Sequence, residues 1–480
     1  INKAAFYFLD HTKPAHHTLV TKRLLLLFFV FTSASVNAKI DSLAGTWQAR
    51  LKFMKFDVRI VFRFEQKPDS TWTGTAQSPD QSKMISEIDE VLIEGDSITL
   101  GISEWDASFN GRFNPDSNAI IGKMTQRGFK LPLKLLKGEE DDLLYDRPQK
   151  PRPPFNYKSE EVHIVNKSDG DTLAGTLTIP NGKGPFPVAV LITGSGLQDR
   201  DESILGHKPF LLIADRLTRS GIAVLRCDDR GAGKSTGNSS DVTLKSMAND
   251  VSAQLEFLRK RKDMDKRRMG LIGHSEGGII APLVASDDKK MAFMILLAGP
   301  SIDFFDLLLA QDSISLKAEG RSKKEIDKLI KTNTGLFEIM RTATDSLTTQ
   351  QRIVEYMESI QATDAEMELA IRQLCTPLMR SYIGHDPAAT LKKVTCPILA
   401  LYGEKDVQVP PSINTPVLES IFSTPEKSDC EINVLPGLNH LFQPCKKGAV
   451  SEYVDIPITM DPSALSAMET WLARQLSTKK

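Results

Sequence analysis

Cysteine is scarce in this chain. Only Cys227, Cys375, Cys396, Cys430 and Cys445 occur in 480 residues, and no two form a C-x-x-C pair, so neither a metal nor a redox site is suggested. Cys430 and Cys445 flank the segment around His440 and could bridge across it, with free buried thiols as the other reading. An excess of one charge is also lacking. Sixty Lys and Arg face 61 Asp and Glu, a net charge of −1, which excludes the electrostatic footprint of a nucleic-acid partner or an anionic membrane surface.

Long apolar runs are missing too. The run Leu24-Leu25-Leu26-Leu27-Phe28-Phe29-Val30-Phe31 is too short for a bilayer core of about 30 Å, so no membrane anchor is expected. Lys22-Arg23 precedes it and Thr32-Ser33-Ala34-Ser35-Val36-Asn37-Ala38 follows, with Val36 and Ala38 where a signal peptidase reads. This order predicts a secretory signal over residues 1–38, and hence a periplasmic or extracellular protein. No Cys lies near the cut, which argues against a lipid-modified terminus. No Met precedes Met54, so synthesis is expected to begin near Leu19 or Val20, the residues before that being a non-native extension.

What is present divides into two patterns. Over 39–138 the chain reads as all-β: Val58, Ile60, Phe62 and Phe64 alternate with polar residues, and turns fall at Glu94-Gly95-Asp96-Ser97, Asn110-Gly111 and Asn114-Pro115-Asp116. A small barrel-like accessory domain with no catalytic constellation is expected. Gly45-Thr46-Trp47 resembles the opening of lipocalin-like barrels. The acidic run Glu139-Glu140-Asp141-Asp142 and the Pro-rich stretch Arg147 to Pro154 mark a linker over 139–155.

From 156 to 480 short apolar runs alternate with amphipathic segments. Val188 to Ile192, Ala223 to Leu225, Leu271-Ile272, Met294 to Leu297 and Ile398 to Tyr402 predict a mostly parallel sheet covered on both faces, preceded by a hairpin closed at Ser168-Asp169-Gly170-Asp171. Residues 301–387 insert extra helical pattern where one crossover would suffice. Leaving the ligand-binding edge of the sheet, they are expected to form a cap over the site.

Gly273-His274-Ser275-Glu276-Gly277 lies between an apolar strand and the helical pattern Gly278-Ile279-Ile280-Ala281. It reads as a nucleophile elbow, in which a sharp strand-to-helix turn lifts a serine clear of the sheet. A serine hydroxyl needs a base and a carboxylate behind it. Of eight histidines, three precede the mature chain, His163 falls in a strand, His207 precedes a helix, His274 points away on the elbow, and His385 reads as a turn residue at the cap's exit. His440, in a Gly-containing loop after a strand, is the candidate base. Asp406 in Gly403-Glu404-Lys405-Asp406 is the candidate acid, with Glu404 second.

From about Asn156 to its end the chain resembles the α/β-hydrolase superfamily. The resemblance is closest to bacterial exported serine esterases carrying the segments Ile192-Thr193-Gly194-Ser195-Gly196 and Asp228-Asp229-Arg230-Gly231. The order Ser275, Asp406, His440 matches that fold. The resemblance implies an α/β fold with an inserted helical cap and hydrolysis of a small-molecule carboxylic ester through an acyl-serine, with no metal or cofactor. It also implies an anion trap made by the backbone N–H groups of Ser195 and Glu276, and a structural role for Asp229 and Arg230. Thr193 stands where the superfamily often has His, which leaves the backbone donor intact. Aminopeptidase-like cleavage, acyl transfer as in relatives with Cys at the elbow, and a non-catalytic lipid- or glycan-binding protein are the alternatives.

Overall fold

The computed structural model describes residues 43–53, 56–79, 85–126, 129–138, 147–423 and 429–477. The secretory signal, the proposed start and the acidic run at 139–142 lie outside the described residues. The chain divides into two compact units, Ile1–Asp146 and Arg147–Lys480.

Among the described residues, nine antiparallel strands build the first unit: β1 (Gly45–Phe53), β2 (Phe56–Gln66), β3 (Trp72–Gln77), β4 (Ser86–Glu87), β5 (Glu90–Glu94), β6 (Ser97–Ile102), β7 (Ala107–Asn114), β8 (Ala119–Gln126) and β9 (Phe129–Lys137). They pair in the order β4-β3-β2-β1-β9-β8-β7-β6-β5. The two end strands are joined by only Ile88 and Asp89, whose amides bond Gly74 O on β3 and Gly101 O on β6, each at 2.9 Å. The sheet therefore curls until its ends meet, which removes most of its open edge. Alternation puts Trp47, Ile60, Phe62, Phe64, Leu100, Phe109 and Leu135 inside, all nearly inaccessible to solvent. Trp47 also donates from Nε1 to Leu43 O at 2.7 Å, satisfying its one polar atom.

Among the described residues the second unit holds eight strands: β10 (Tyr157–Val165), β11 (Thr172–Pro180), β12 (Phe186–Ile192), β13 (Ala223–Cys227), β14 (Met264–His274), β15 (Phe293–Leu297), β16 (Ile398–Gly403) and β17 (Cys430–Leu435). Their order is β10-β11-β13-β12-β14-β15-β16-β17. β10 and β11 form the antiparallel hairpin and β11 pairs antiparallel with β13, while every later pairing is parallel. β13, β15 and β16 are buried on both faces, as their largely apolar sequences require. The covering helices are α1 (Pro209–Arg219), α2 (Leu244–Lys260), α3 (Gly277–Asp287), α10 (Pro411–Phe422) and α11 (Pro462–Ser477).

Between β15 and β16 the chain leaves the sheet for six helices: α4 (Phe304–Ala318), α5 (Lys323–Thr342), α6 (Ser346–Ser359), α7 (Asp364–Leu374), α8 (Pro377–Tyr382) and α9 (Pro387–Leu391). Asp303, Ser322, Asp345, Thr363, Thr376 and Asp386 each cap the helix that follows by accepting a bond from its first-turn amides. Leu307, Ile353 and Met357 are buried as their spacing suggests, but α5 buries its second half, Leu336, Phe337, Ile339 and Met340, and leaves Ile326, Leu329 and Ile330 partly exposed.

The Pro-rich stretch is part of the second unit from Arg147 onward. Arg147 is 5% exposed, and its guanidinium donates to Leu205 O (3.1 and 2.8 Å), Ile456 O (2.8 Å) and Val454 O (3.1 Å). Gln149 Nε2 donates to Met460 O at 2.8 Å. Removing the guanidinium would strand buried carbonyls, so Arg147→Ala is expected to destabilise this unit by about 2–4 kcal/mol, read as a lowered Tm of its own unfolding transition.

Candidate active site

Ser275 sits between β14 and α3 with φ +52, in the left-handed region. A non-glycine residue there is strained by about 1–3 kcal/mol. The turn is held by Ser275 N donating to Leu297 O (2.9 Å) and Gly278 N donating to Ser275 O (2.8 Å). Crowding explains the flanking glycines: a Cβ on Gly273 would lie 2.1 Å from Gly277 O, and one on Gly277 would lie 2.2 Å from Ile192 O. Neither distance is sterically possible for a side chain.

Asp406 and His440 meet in the loops after β16 and β17. His440 Nδ1 donates to Asp406 Oδ2 at 2.8 Å, and both residues are buried, 4% and 3% exposed. The other carboxylate oxygen, Oδ1, accepts from Gln408 N (2.8 Å) and Val409 N (2.9 Å). The acid is thus fixed in orientation, and with Nδ1 carrying the proton, His440 Nε2 keeps its lone pair. Glu404, the second candidate acid, is exposed; its Oε2 accepts from Gly437 N at 2.8 Å and steadies the start of the His440 loop. Among the described residues no hydrogen bond joins Ser275 Oγ to His440. The His440 ring packs on that of His274, the residue before the serine, with centroids 4.9 Å apart. Bonds between nucleophile and base are often long until substrate arrives. His385 lies apart, in the cap turn after α8, its amide bonded to Tyr382 O at 3.1 Å.

The loop after β12 passes directly against the serine, since a Cβ on Gly194 would lie 3.2 Å from Ser275 Cβ. Among the described residues, neither the Ser195 nor the Glu276 amide donates a hydrogen bond. Asp229 braces this loop: Oδ1 accepts from the Thr193 hydroxyl at 2.6 Å and Oδ2 from Gln198 N at 2.9 Å. Burial pushes the Asp229 carboxyl up to about 7, against the pull of those bonds. Arg230 braces a different place, pairing with Asp250 on α2 (2.8 Å) and with Asp169 and Asp171 (3.0 Å to the latter) in the β10–β11 turn. Arg200 pairs through two nitrogens with Asp228, at 3.0 and 2.9 Å.

Three features were not read from the sequence. First, the Glu276 side chain is buried and accepts from the hydroxyl of Tyr382, at the end of cap helix α8. Burial raises the Glu276 carboxyl above its ordinary range despite that bond. Tyr382 is itself stacked on Phe304, centroids 3.6 Å apart and planes within 5°, so cap and elbow are joined. Second, His274 does not simply point away: Nδ1 bonds Glu202 Oε1 at 2.9 Å and Nε2 bonds His440 O at 3.2 Å. Third, buried His207 supports the candidate base from behind. Its Nδ1 bonds Thr459 Oγ1 at 3.0 Å and its Nε2 accepts from Gln443 Nε2 at 3.1 Å, while Gln443 Oε1 accepts from Asn439 Nδ2 at 3.0 Å. Cys430 and Cys445 are free thiols and do not bridge the His440 segment.

A sequence model of the family described as serine aminopeptidase, S33, matches residues 208–443. Together with the β10–β17 sheet, the elbow and the Asp406–His440 pair, this decides the family. The chain belongs to the α/β-hydrolase superfamily. Among curated relatives, this α/β-hydrolase is 27% identical to esterase EstD of Thermotoga maritima over 270 residues, 56% of this chain and 58% of that protein. The match thus spans little more than half of EstD. It is 25% identical over 265 residues to an uncharacterized 31.7 kDa protein of the traX-finO intergenic region of Escherichia coli, covering 55% of this chain and 87% of that one. Among solved structures, the α/β hydrolase GrgF from Penicillium sp. sh18 is 19% identical with a TM-score of 0.41, covering 67% of this chain and 99% of that one. Est1E from Butyrivibrio proteoclasticus, solved with ferulic acid, is 17% identical with a TM-score of 0.39, covering 66% and 99%.

His207 gives this hydrolase a pH liability. Burial, then the charge of Arg147, lowers its imidazole from 6.5 to about 4. As pH falls below 6.5 the unfolded chain takes up this proton before the folded one does. Stability is therefore full above about pH 6.5 and lost progressively toward pH 4, by roughly 3 kcal/mol from this group. His207→Gln is expected to flatten Tm between pH 6.5 and 4; an unchanged slope there would contradict the assignment.

Proposed function

We propose that this α/β-hydrolase is an exported serine esterase that cleaves small-molecule carboxylic esters through an acyl-enzyme on Ser275. The observation that carries the reading is the buried Asp406–His440 pair at 2.8 Å beside a serine held at φ +52. EstD, named an esterase, is a relative over 270 residues of this chain, and the basic, apolar, small-residue order of residues 22–38 supports export.

In this mechanism Ser275 Oγ attacks the ester carbonyl carbon while His440 Nε2 takes its proton, and Asp406 stabilises the imidazolium. Negative charge moves to the carbonyl oxygen, where the Ser195 and Glu276 amides receive it; one such donor is worth about 100- to 1000-fold in rate. Collapse expels the alcohol, protonated by His440. Water, deprotonated by His440, then attacks the acyl carbon and releases the acid, restoring Ser275. No step requires a cofactor.

The match to the serine aminopeptidase family favours one second reading, amide cleavage by the same serine. A chain-length series of chromogenic esters, run beside amino-acid amides and a fluorophosphonate probe, separates the two. Esters should turn over faster than any amide, and the probe should label Ser275; an amide cleaved faster than every ester would replace the esterase reading. Ser275→Ala is expected to lower kcat by at least about 10⁴-fold with little change in Tm, and His440→Ala to fall nearly as far. Full activity in Ser275→Ala would end the assignment.

A further inference from the structure

Glu202 and His274 are a buried acid and base that the proposed chemistry does not use. His274 is part of the elbow and Glu202 bonds directly to it, each 6% exposed. Glu202 sits in a left-handed backbone conformation, φ +53, in the loop after β12, and His274 is the last residue of β14. One oxygen of Glu202, Oε1, accepts from Gly194 N at 2.7 Å and from His274 Nδ1 at 2.9 Å. On the far side, His274 Nε2 meets His440 O at 3.2 Å.

The partners fix what His274 carries. A carboxylate oxygen and a backbone carbonyl oxygen only accept, so both ring nitrogens must donate, and a neutral imidazole has only one N–H. With Glu202 ionised, His274 is therefore an imidazolium; with the proton on Glu202 the same two bonds hold, so the pair shares one proton between them. Burial opposes that charge, and the Glu202 charge and bond more than offset it, leaving the His274 imidazole above its ordinary range. His207 is the contrast: Gln443 donates to one of its nitrogens, so that ring is neutral.

The chain of bonds runs Gly194 N, Glu202, His274, His440 O. Its first member is the residue before Ser195, whose amide is a proposed oxyanion donor, and its last is the backbone of the proposed base. We propose that Glu202 and His274 are positioning residues that tie the oxyanion loop to the histidine loop behind the nucleophile, holding anion trap and base at a fixed separation. This rests on the serine hydrolase reading above. Neither residue reaches substrate. Their effect is on geometry, and misplacing a reacting group by about 1 Å can cost about 100-fold in rate.

The test compares wild type, Glu202→Gln, His274→Gln and the double variant in the full chain. Sites are counted by titration with a fluorophosphonate, and kcat and KM are measured on a short-chain p-nitrophenyl ester. Counting labelled serines removes any contribution from misfolded protein. Expected are a fall of about 10- to 100-fold in kcat per labelled site for each single variant, KM within about threefold, and a double variant no worse than the weaker single, since the two act as one unit. A kcat per site within twofold of wild type in both single variants would overturn the pairing, as would losses that multiply in the double variant. Wild-type enzyme that labels and turns over while the variants behave as wild type leaves the hydrolase reading standing and removes only this inference. Wild-type protein that neither labels nor turns over ends both.

Discussion

Backbone crowding around Ser275 governs how the second unit is built. The end of β14, the start of α3 and the loop after β12 approach so closely that Gly273 and Gly277 have no room for a Cβ. That closeness puts the Gly194 backbone against the serine side chain, and among the described residues the Ser195 and Glu276 amides have no acceptor. The left-handed serine is the strained point, and the sheet bond from Ser275 N to Leu297 O holds it there. Strain of this kind persists only where the surroundings over-determine it, and here a parallel sheet covered on both faces does so.

Electrostatics around the turn follow from which neighbours can donate. Three buried histidines lie near one another in environments that differ in hydrogen-bond character. His207 receives a proton donor from Gln443 and stays neutral; His274 is enclosed by the acceptors Glu202 and His440 O and shares a proton with Glu202; His440 has one carboxylate at Nδ1. Burial depth is similar for all three. The partner atoms, not depth, divide the roles.

Features encoded by local pattern were legible in the sequence. The alternation of Ile60, Phe62 and Phe64, the largely apolar strands, the Gly-spaced elbow and the Ser, Asp, His order all depend on residues within a few positions of each other or on chain order alone. So does the cap, whose helices announce themselves by Asp, Ser and Thr at their starts. What escaped reading were pairings between distant loops: Glu202 with His274 across 72 positions, Tyr382 with Glu276 across 106, and Arg147 with Ile456 across 309. Nothing periodic marks such partners. His274 reads locally as a spacer beside the serine, and Arg230 as a structural residue with no named partner, because the aspartates it pairs with sit in a hairpin turn and a helix outside its own segment.

The six-helix insertion departs and returns at neighbouring strands. β15 and β16 are hydrogen-bonded side by side, with Leu297 opposite Leu401, so residues 298–397 form a loop whose ends the sheet already holds together. The entropic cost of closing such a loop grows only with the logarithm of its length, about 0.6 kcal/mol for each doubling. Chain closure therefore sets no tight limit on the length of an insertion at this junction; packing does, since Phe304, Leu307, Met340 and Ile353 share the core of the sheet. The requirement it must still meet is a hydroxyl where Tyr382 delivers one to Glu276. A fold arranged this way lets the helices around the elbow change while the sheet that holds the elbow stays as it is.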